Sequence, residues 1–105
     1  MTGADCGTIS YASGWPTTTL FVVTKFDCIT SAFATGTDAH LIERRQTDGY
    51  GGHIAVTTYQ VTGVQQVRVT VDNTNALPAG EVTTSICTGL VALSASLQVS
   101  DCTPA

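Results

Sequence analysis

Charge is scarce in this chain of 105 residues: only 11% of positions are Asp, Glu, Lys or Arg, less than half the usual share. Four residues are basic, Lys25, Arg44, Arg45 and Arg68. A phosphate backbone needs several Lys and Arg on one face, so nucleic acid is excluded as a partner. An anionic membrane surface is disfavoured on the same ground. No apolar run approaches the roughly 18 residues a membrane span needs, which argues against direct membrane insertion. Metal-ligand spacings are missing as well. The chain has no Cys-x2-Cys, no His-x3-His and no His-Glu-x-x-His, the patterns that bring zinc ligands together. No serine sits in a nucleophile-elbow pattern, and only His40 and His53 could serve as a base, so a catalytic triad is not expected. No cofactor is implied.

What is abundant is threonine, at nineteen positions. Thr is β-branched and suits a half-exposed pleated surface, so hydroxyls here take the place of charges and the composition favours strands. The length allows one domain, residues 1–105. A chain of this size buries somewhat over about 60% of its unfolded surface, which makes a thin core. Four cysteines, Cys6, Cys28, Cys87 and Cys102, are spread widely through it. An even count at wide spacing in so short a chain reads as two disulfides, and disulfides persist outside the reducing cytosol. The expected location is therefore secreted or cell envelope. Met1-Thr2-Gly3-Ala4 has neither a charged nor an apolar leader segment, so the expectation carries with it a leader that is absent from this sequence.

Periodicity divides the chain. Residues 1–19 hold Gly3, Gly7, Gly14 and Pro16 and are read as an irregular N-terminal arm, with Trp15 anchoring it. Leu20-Phe21-Val22-Val23 suits either a strand or the entry to a helix. Thr24 can cap a helix over about 25–35, in which Phe26, Ile29 and Phe33 form one apolar stripe beside Ala32. Gly36 ends it. The period then becomes two. Strands are expected at 40–46 and 53–62, around the glycine-dense turn 48–52. Val67, Val69 and Val71 alternate with Arg68, Thr70 and Asp72 in a third strand. Residues 72–80 form a loop. Val82, Thr84 and Ile86 begin a fourth strand, and Leu97 with Val99 mark a fifth. The predicted fold is α+β, one short helix packed on a four- to five-stranded antiparallel meander.

Strand parity bears on the cysteine pairing. If Val82, Thr84 and Ile86 face the core, Cys87 faces away; if Leu97 and Val99 face it, Cys102 also faces away. A hairpin turning at Ser94-Ala95 sets residues 87 and 102 opposite each other, with the close Cβ approach a disulfide requires. Three pairings are open, and this geometry favours Cys87–Cys102 with Cys6–Cys28. Each closes a loop of about 15 to 22 residues, worth roughly 3 kcal/mol in the chain-entropy model.

Several clusters invite chemistry. His40 and His53 could meet across adjacent strands and hold a metal with Asp48 or Glu43. Asp72-Asn73-Thr74-Asn75 offers oxygens for calcium, but lacks the rhythm of an established loop and suits a self-bonded turn better. The bland reading prevails for both, and no metal site is expected. Arg44-Arg45 beside Glu43 reads as a solvated strand edge. The threonine clusters at 17–19, 57–58 and 83–84 are adjacent runs that would point half inward, unlike an ice-binding ladder.

Cys28-Ile29-Thr30-Ser31-Ala32-Phe33, Gln46-Thr47-Asp48-Gly49, the strands 54–59 and 67–72, Cys87-Thr88-Gly89-Leu90 and Ser100-Asp101-Cys102 together resemble a group of uncharacterised bacterial secreted or lipoprotein-attached small domains. The resemblance spans mainly residues 28–102. It implies a fold and an extracytoplasmic location, and no activity. The lipobox-bearing leader of that group is not in this sequence.

The expected function is a non-catalytic secreted or cell-envelope binding module, acting through a sheet face, an edge or the loop 48–52. Tyr50, His53 and Arg44 are the expected contacts, because exposed aromatic and Arg residues concentrate at interfaces. The partner is an unspecified protein or small ligand, and the chain is expected to be a monomer or weak homo-oligomer. The alternative is a small disulfide-stabilised secreted protease inhibitor presenting the loop 73–80. An extended, protruding loop would favour it, and one lying flat would not.

Overall fold

The change from helical to alternating period at Gly36 is where the chain passes from its helix into a continuous meander. The computed structural model describes residues 4–11, 20–46, 53–76, 79–92 and 97–105. In chain order it contains β1 (Ala4–Tyr11), α1 (Leu20–Thr35), β2 (Ala39–Gln46), β3 (Ile54–Gly63), β4 (Gln66–Asp72), β5 (Val82–Ala92) and β6 (Leu97–Pro104). The six strands lie side by side in the order of the chain. β2 to β6 are successively antiparallel, whereas β1 is parallel to β2. Parallel neighbours need a long crossover, and α1 lies on the connection between them. The α+β class stands, but the sheet has six strands and one parallel pair, not four or five in a purely antiparallel meander.

The extra strand is β1, within what reads as an irregular arm. Its register on β2 shifts between Asp5 and Thr8. Gly7 there has φ +104° and donates its N–H to Asp5 Oδ1 at 2.7 Å. The bulge lets Cys6 and Ile9, three residues apart, both enter the core at 6% and 3% exposure. A bulge destroys the alternation by which strands are recognised, and Gly7 itself looks like a turn signal. Trp15 lies outside the described residues.

α1 begins at Leu20, so Leu20-Phe21-Val22-Val23 is helical entry and Thr24 sits inside the helix, not at its cap. Phe26, Ile29, Ala32 and Phe33 are buried along one stripe, while Thr24, Asp27, Ser31 and Ala34 are exposed. The helix ends in a Schellman turn. Gly36 takes φ +74°, and Thr37 N donates to Ala32 O at 3.0 Å, the bond from C″ to C3 that defines the motif. Gln65, in the β3–β4 turn, donates its N–H to Phe33 O at 2.8 Å. Two carbonyls of the last helical turn thus gain backbone donors, and the turn is docked on the helix end.

The core lies between α1 and one face of the sheet. Two lateral rows supply most of it. Ala39, Val61, Val67 and Cys87 are neighbours across four strands, and Leu41, Tyr59 and Val69 lie in the next row; all are buried. Cys87 is fully buried, so it faces the core. Val82, Thr84 and Ile86 belong to the opposite face, which reverses the facing expected for β5. In that stretch the hydroxylated, partly exposed residues outnumber the apolar ones, and a three-residue alternation cannot say which face is inward. On β6, Asp101 has left-handed backbone (φ 54°) between Val99 and Cys102. The alternation is broken there, so that Val99 packs on the core while Cys102 bonds Cys87.

Two disulfides are formed, Cys6–Cys28 and Cys87–Cys102, leaving no free cysteine among the described residues. The second joins directly opposed residues of β5 and β6. The other pairs of that ladder, such as Ala92 with Leu97, share its register; the turn expected at Ser94-Ala95 lies outside the described residues. The first ties β1 to α1. No helix among the described residues is long and apolar enough to cross a membrane.

Candidate functional site

α1 packs on one face of the sheet, and no described element covers the other. That open face is built from the alternate residues of every strand, in three lateral rows. The central row runs Thr8, Ile42, Thr58, Thr70 and Thr84. One flanking row holds Asp5, His40, Gln60, Arg68, Ile86 and Thr103; the other holds Ser10, Arg44, Val56, Asp72 and Val82. Ile42, Val56, Thr58, Thr70, Thr84 and Ile86 are all half-buried by their neighbours alone, and Val82 is 53% exposed. Thr70 and Thr84 lie with their hydroxyls 3.4 Å apart. The surface is therefore hydroxyl-rich and weakly apolar, with no Phe, Tyr or Trp in its three rows. Arg44 and Arg68 are exposed and make no ion pair among the described residues. At one edge Asp5 Oδ1 lies 3.5 Å from His40 Nε2. His40 is 9% exposed, and its Nδ1 has no hydrogen-bond partner.

The helix side carries one polar group of note. Glu43 follows Ala39 and Leu41 on the inward parity of β2, between Ile9 and Thr57, and is 6% exposed. Burial holds its carboxyl above the ordinary glutamate range, against the Tyr59 hydrogen bond and the nearby Arg45, which act in the opposite direction. Arg45 Nη2 stands 3.7 Å from Glu43 Oε2, and Glu43 Oε1 is buried without a partner. β2 is an interior strand, so Glu43-Arg44-Arg45 is not the solvated edge its composition suggests. Inward parity with Leu41 was the signal that Glu43 would be buried.

The expected site residues are dispersed. Arg44 lies on the open face, opposite Val56, and His53 is exposed just before β3. Both belong to the end of the sheet where β2 passes to β3. Tyr50 and Asp48, with the rest of the turn 47–52, lie outside the described residues. His40 is opposite Gln60, seven residues along β3 from His53, a span of about 23 Å in extended chain. The two histidines therefore cannot share a metal. No group of three or more potential ligands occurs among the described residues.

The loop after β4 is folded onto itself. Asp72 Oδ1 accepts from Thr74 N at 3.0 Å and from the Thr74 hydroxyl at 2.6 Å, and these bonds hold its carboxyl below the ordinary aspartate range. Asn73 O accepts from Ala76 N and Gly80 N, and Asn75 O accepts from Ile54 N at 2.8 Å. Ala76 is buried. The described part of 73–80 is thus a closed turn tied to β3, not the extended segment a substrate-like inhibitor loop presents; Leu77 and Pro78 lie outside the described residues.

Two surface depressions are shallow. One, of about 260 Å³, is lined by Gly36, Asp38, Gln60, Val61 and Thr62. The other, of about 280 Å³, lies beside Cys28, Ala32 and Ala39. Both fall below the usual range for small-molecule pockets, about 300–1,000 Å³. No family model, curated protein or solved structure matches the chain.

Proposed function

We propose that the protein is a non-catalytic, extracytoplasmic interaction domain whose binding surface is the open face of its sheet. The observation that carries this reading is the one-sided packing. Among the described residues, a six-stranded sheet receives a helix on one face only, and the other presents Ile42, Thr58, Thr70, Thr84 and Ile86 beside two exposed arginines that make no ion pair there. Antiparallel sheets do leave one face to water, but then place charged and long polar residues there. This face is instead mostly Thr, Val and Ile, whose desolvation costs little on contact with a partner. The two disulfides support the location, being the form of cross-link that persists outside the cytosol. The resemblance to bacterial secreted and lipoprotein-attached domains belongs to the same proposal. The shallow depressions and the folded-back described part of the loop 73–80 favour surface-to-surface recognition over enclosure of a small ligand or insertion into a protease.

The test has two parts. Alkylation of the native, unreduced protein should find no reactive thiol; four would remove the basis for the location. Chemical-shift mapping with isotope-labelled protein should then place perturbations from partner proteins or peptides on Ile42, Thr58, Thr70 and Ile86. Perturbations confined to the exposed side of α1 would overturn the choice of face.

A further inference from the structure

Resting on that choice of face, we infer that the open sheet surface is occupied by a second copy of the chain, packed face to face about a two-fold axis along the threonine row. Such an axis lies across the strands. It keeps each strand over its own counterpart and exchanges the two flanking rows. Thr58, Thr70 and Thr84 then meet their own equivalents. Ile86 meets Val82 of the other copy, and Gln60 meets Val56. The charges fall into opposition as well. Arg68 of one copy stands over Asp72 of the other, because both are on β4, two residues to either side of Thr70. At the other margin Arg44 of the second copy stands over His40, one strand away from the Asp5 carboxylate. Both pairings occur twice by symmetry.

This is the self-complementarity an isologous interface requires. It gives a carboxylate neighbour to both arginines, which make no ion pair among the described residues. Asp72 is an apt acceptor, because its Thr74 hydrogen bonds keep the carboxylate ionised. The alternative axis, parallel to the strands, would oppose each row to itself; with all six strands overlapped it sets Arg68 over Gln60 and Arg44 over Val82, and neither arginine gains a carboxylate. The size is also informative. Strands about 4.8 Å apart and same-face residues about 6.8 Å apart give three rows over five strands roughly 480 Å² per copy. The total of about 1,000 Å² lies at the low end for specific interfaces, so a reversible dimer is expected and not an obligate one. Aligned sheets in such a sandwich cross at about 30°, which the symmetry permits.

Sedimentation velocity on the intact, disulfide-bonded chain tests this, from about 1 μM to about 1 mM, the span suited to an interface of this size. The sedimentation coefficient should rise with concentration, and added NaCl should move the midpoint upward as the ion pairs are screened. Arg68→Glu sets carboxylate against carboxylate twice, and Thr70→Lys sets two ammonium groups across the axis. Each should weaken association at least tenfold with the circular dichroism spectrum unchanged, and Arg68→Glu, at an exposed position, should leave melting unchanged as well. A third variant, Thr70→Cys, should crosslink through a short dithiol-reactive linker far faster than Ala34→Cys on the exposed side of α1. A wild-type chain that stays monomeric throughout, a dimer untouched by Arg68→Glu and Thr70→Lys, or equal crosslinking rates would each overturn the inference. If shift mapping still places a different partner on the open face, the second copy alone is refuted; if mapping points to α1, the face itself is wrong.

Discussion

Removing the disulfides provides the sharpest measure of how this thin-cored domain stays folded. Cys6–Cys28 and Cys87–Cys102 have sequence separations of 22 and 15, and the loops do not overlap. In the chain-entropy model they restrict the unfolded state by about 3.4 and about 3.0 kcal/mol. Their sum, about 6 kcal/mol, compares with a total of about 5–15 kcal/mol for an ordinary domain. Full reduction should therefore leave the chain marginally folded or unfolded at 37 °C. The paired variants separate the contributions. Cys6→Ala/Cys28→Ala and Cys87→Ala/Cys102→Ala should each lower Tm by about 12–24 °C, at about 4–8 °C per kcal/mol for a chain of this size. Alanine is the right replacement at position 87, which is fully buried; serine would add the cost of a buried hydroxyl. Guanidinium titrations with and without dithiothreitol, with alkylation to verify reduction, read the effect directly. A reduced protein with the same transition midpoint as the oxidised one would refute both the stability argument and the case for an oxidising compartment.

Three further outcomes are expected. Glu43→Gln should stabilise the protein at neutral pH. Burial raises the folded-state pKa of Glu43, so between the ordinary glutamate range and that raised value the folded state binds more protons than the unfolded chain. Its stability falls as pH rises through this window, and the advantage of Gln should vanish when melting is measured below pH about 4, where glutamate is protonated in both states. Tyr59→Phe should destabilise by about 1–3 kcal/mol at neutral pH by leaving the buried Glu43 carboxylate without that hydrogen bond, and by much less in the Glu43→Gln background, as a double-mutant cycle would reveal. Gly36→Ala should cost about 1–3 kcal/mol, the typical penalty for a strained backbone. At φ +74° a Cβ would approach Val64 Cγ2 at 2.7 Å and Val64 N at 2.8 Å; unchanged denaturant midpoints would show that the β3–β4 turn can move away.

Where alternation was long, it carried through to the structure. Val67, Val69 and Val71 point to the helix side while Arg68, Thr70 and Asp72 do not, and the stripe of Phe26, Ile29 and Phe33 is the buried stripe of α1. Where a glycine or a left-handed residue interrupted it, local pattern misled. Gly7 hid β1, and Asp101 let Val99 and Cys102 share a side that strict period two would deny them. The pairing of Cys87 with Cys102 survived because the register of two strands does not depend on which face is inward. The Leu20–Val23 run was undecidable for another reason: four apolar residues satisfy both periods, and only the stripe beyond them shows the helix. The open face was the least legible feature. Thr is acceptable inside or outside, so Thr57-Thr58 and Thr83-Thr84 divide between the two faces without any residue announcing it. That Thr58, Thr70 and Thr84 form one row depends on the register of three strands, which no single stretch of sequence contains.

The placement of the disulfides follows from the same topology. A sheet ordered as its chain has its weakest members at the ends, since an edge strand is hydrogen-bonded on one side only. Here β1 is further weakened by a bulge and by parallel pairing, and β6 by the left-handed Asp101. Each edge strand carries one cysteine, and each is bonded inward: Cys6 to α1, Cys102 to its neighbour β5. Interior strands β2, β3 and β4 have none. Fraying of either edge would shorten the rows of the open face, because Asp5 and Thr8 end them on one side and Thr103 on the other. Cross-linking the edges therefore stabilises the fold and preserves the extent of the exposed surface. Hydrogen exchange should show this division. In the oxidised protein, the amides of β1 and β6 should be protected against sub-global opening to nearly the same degree as those of β3; after selective loss of Cys6–Cys28, β1 should exchange first while β3 and β4 stay protected. Uniform loss of protection across all six strands would mean that the bridge acts on the whole domain and not on its edge.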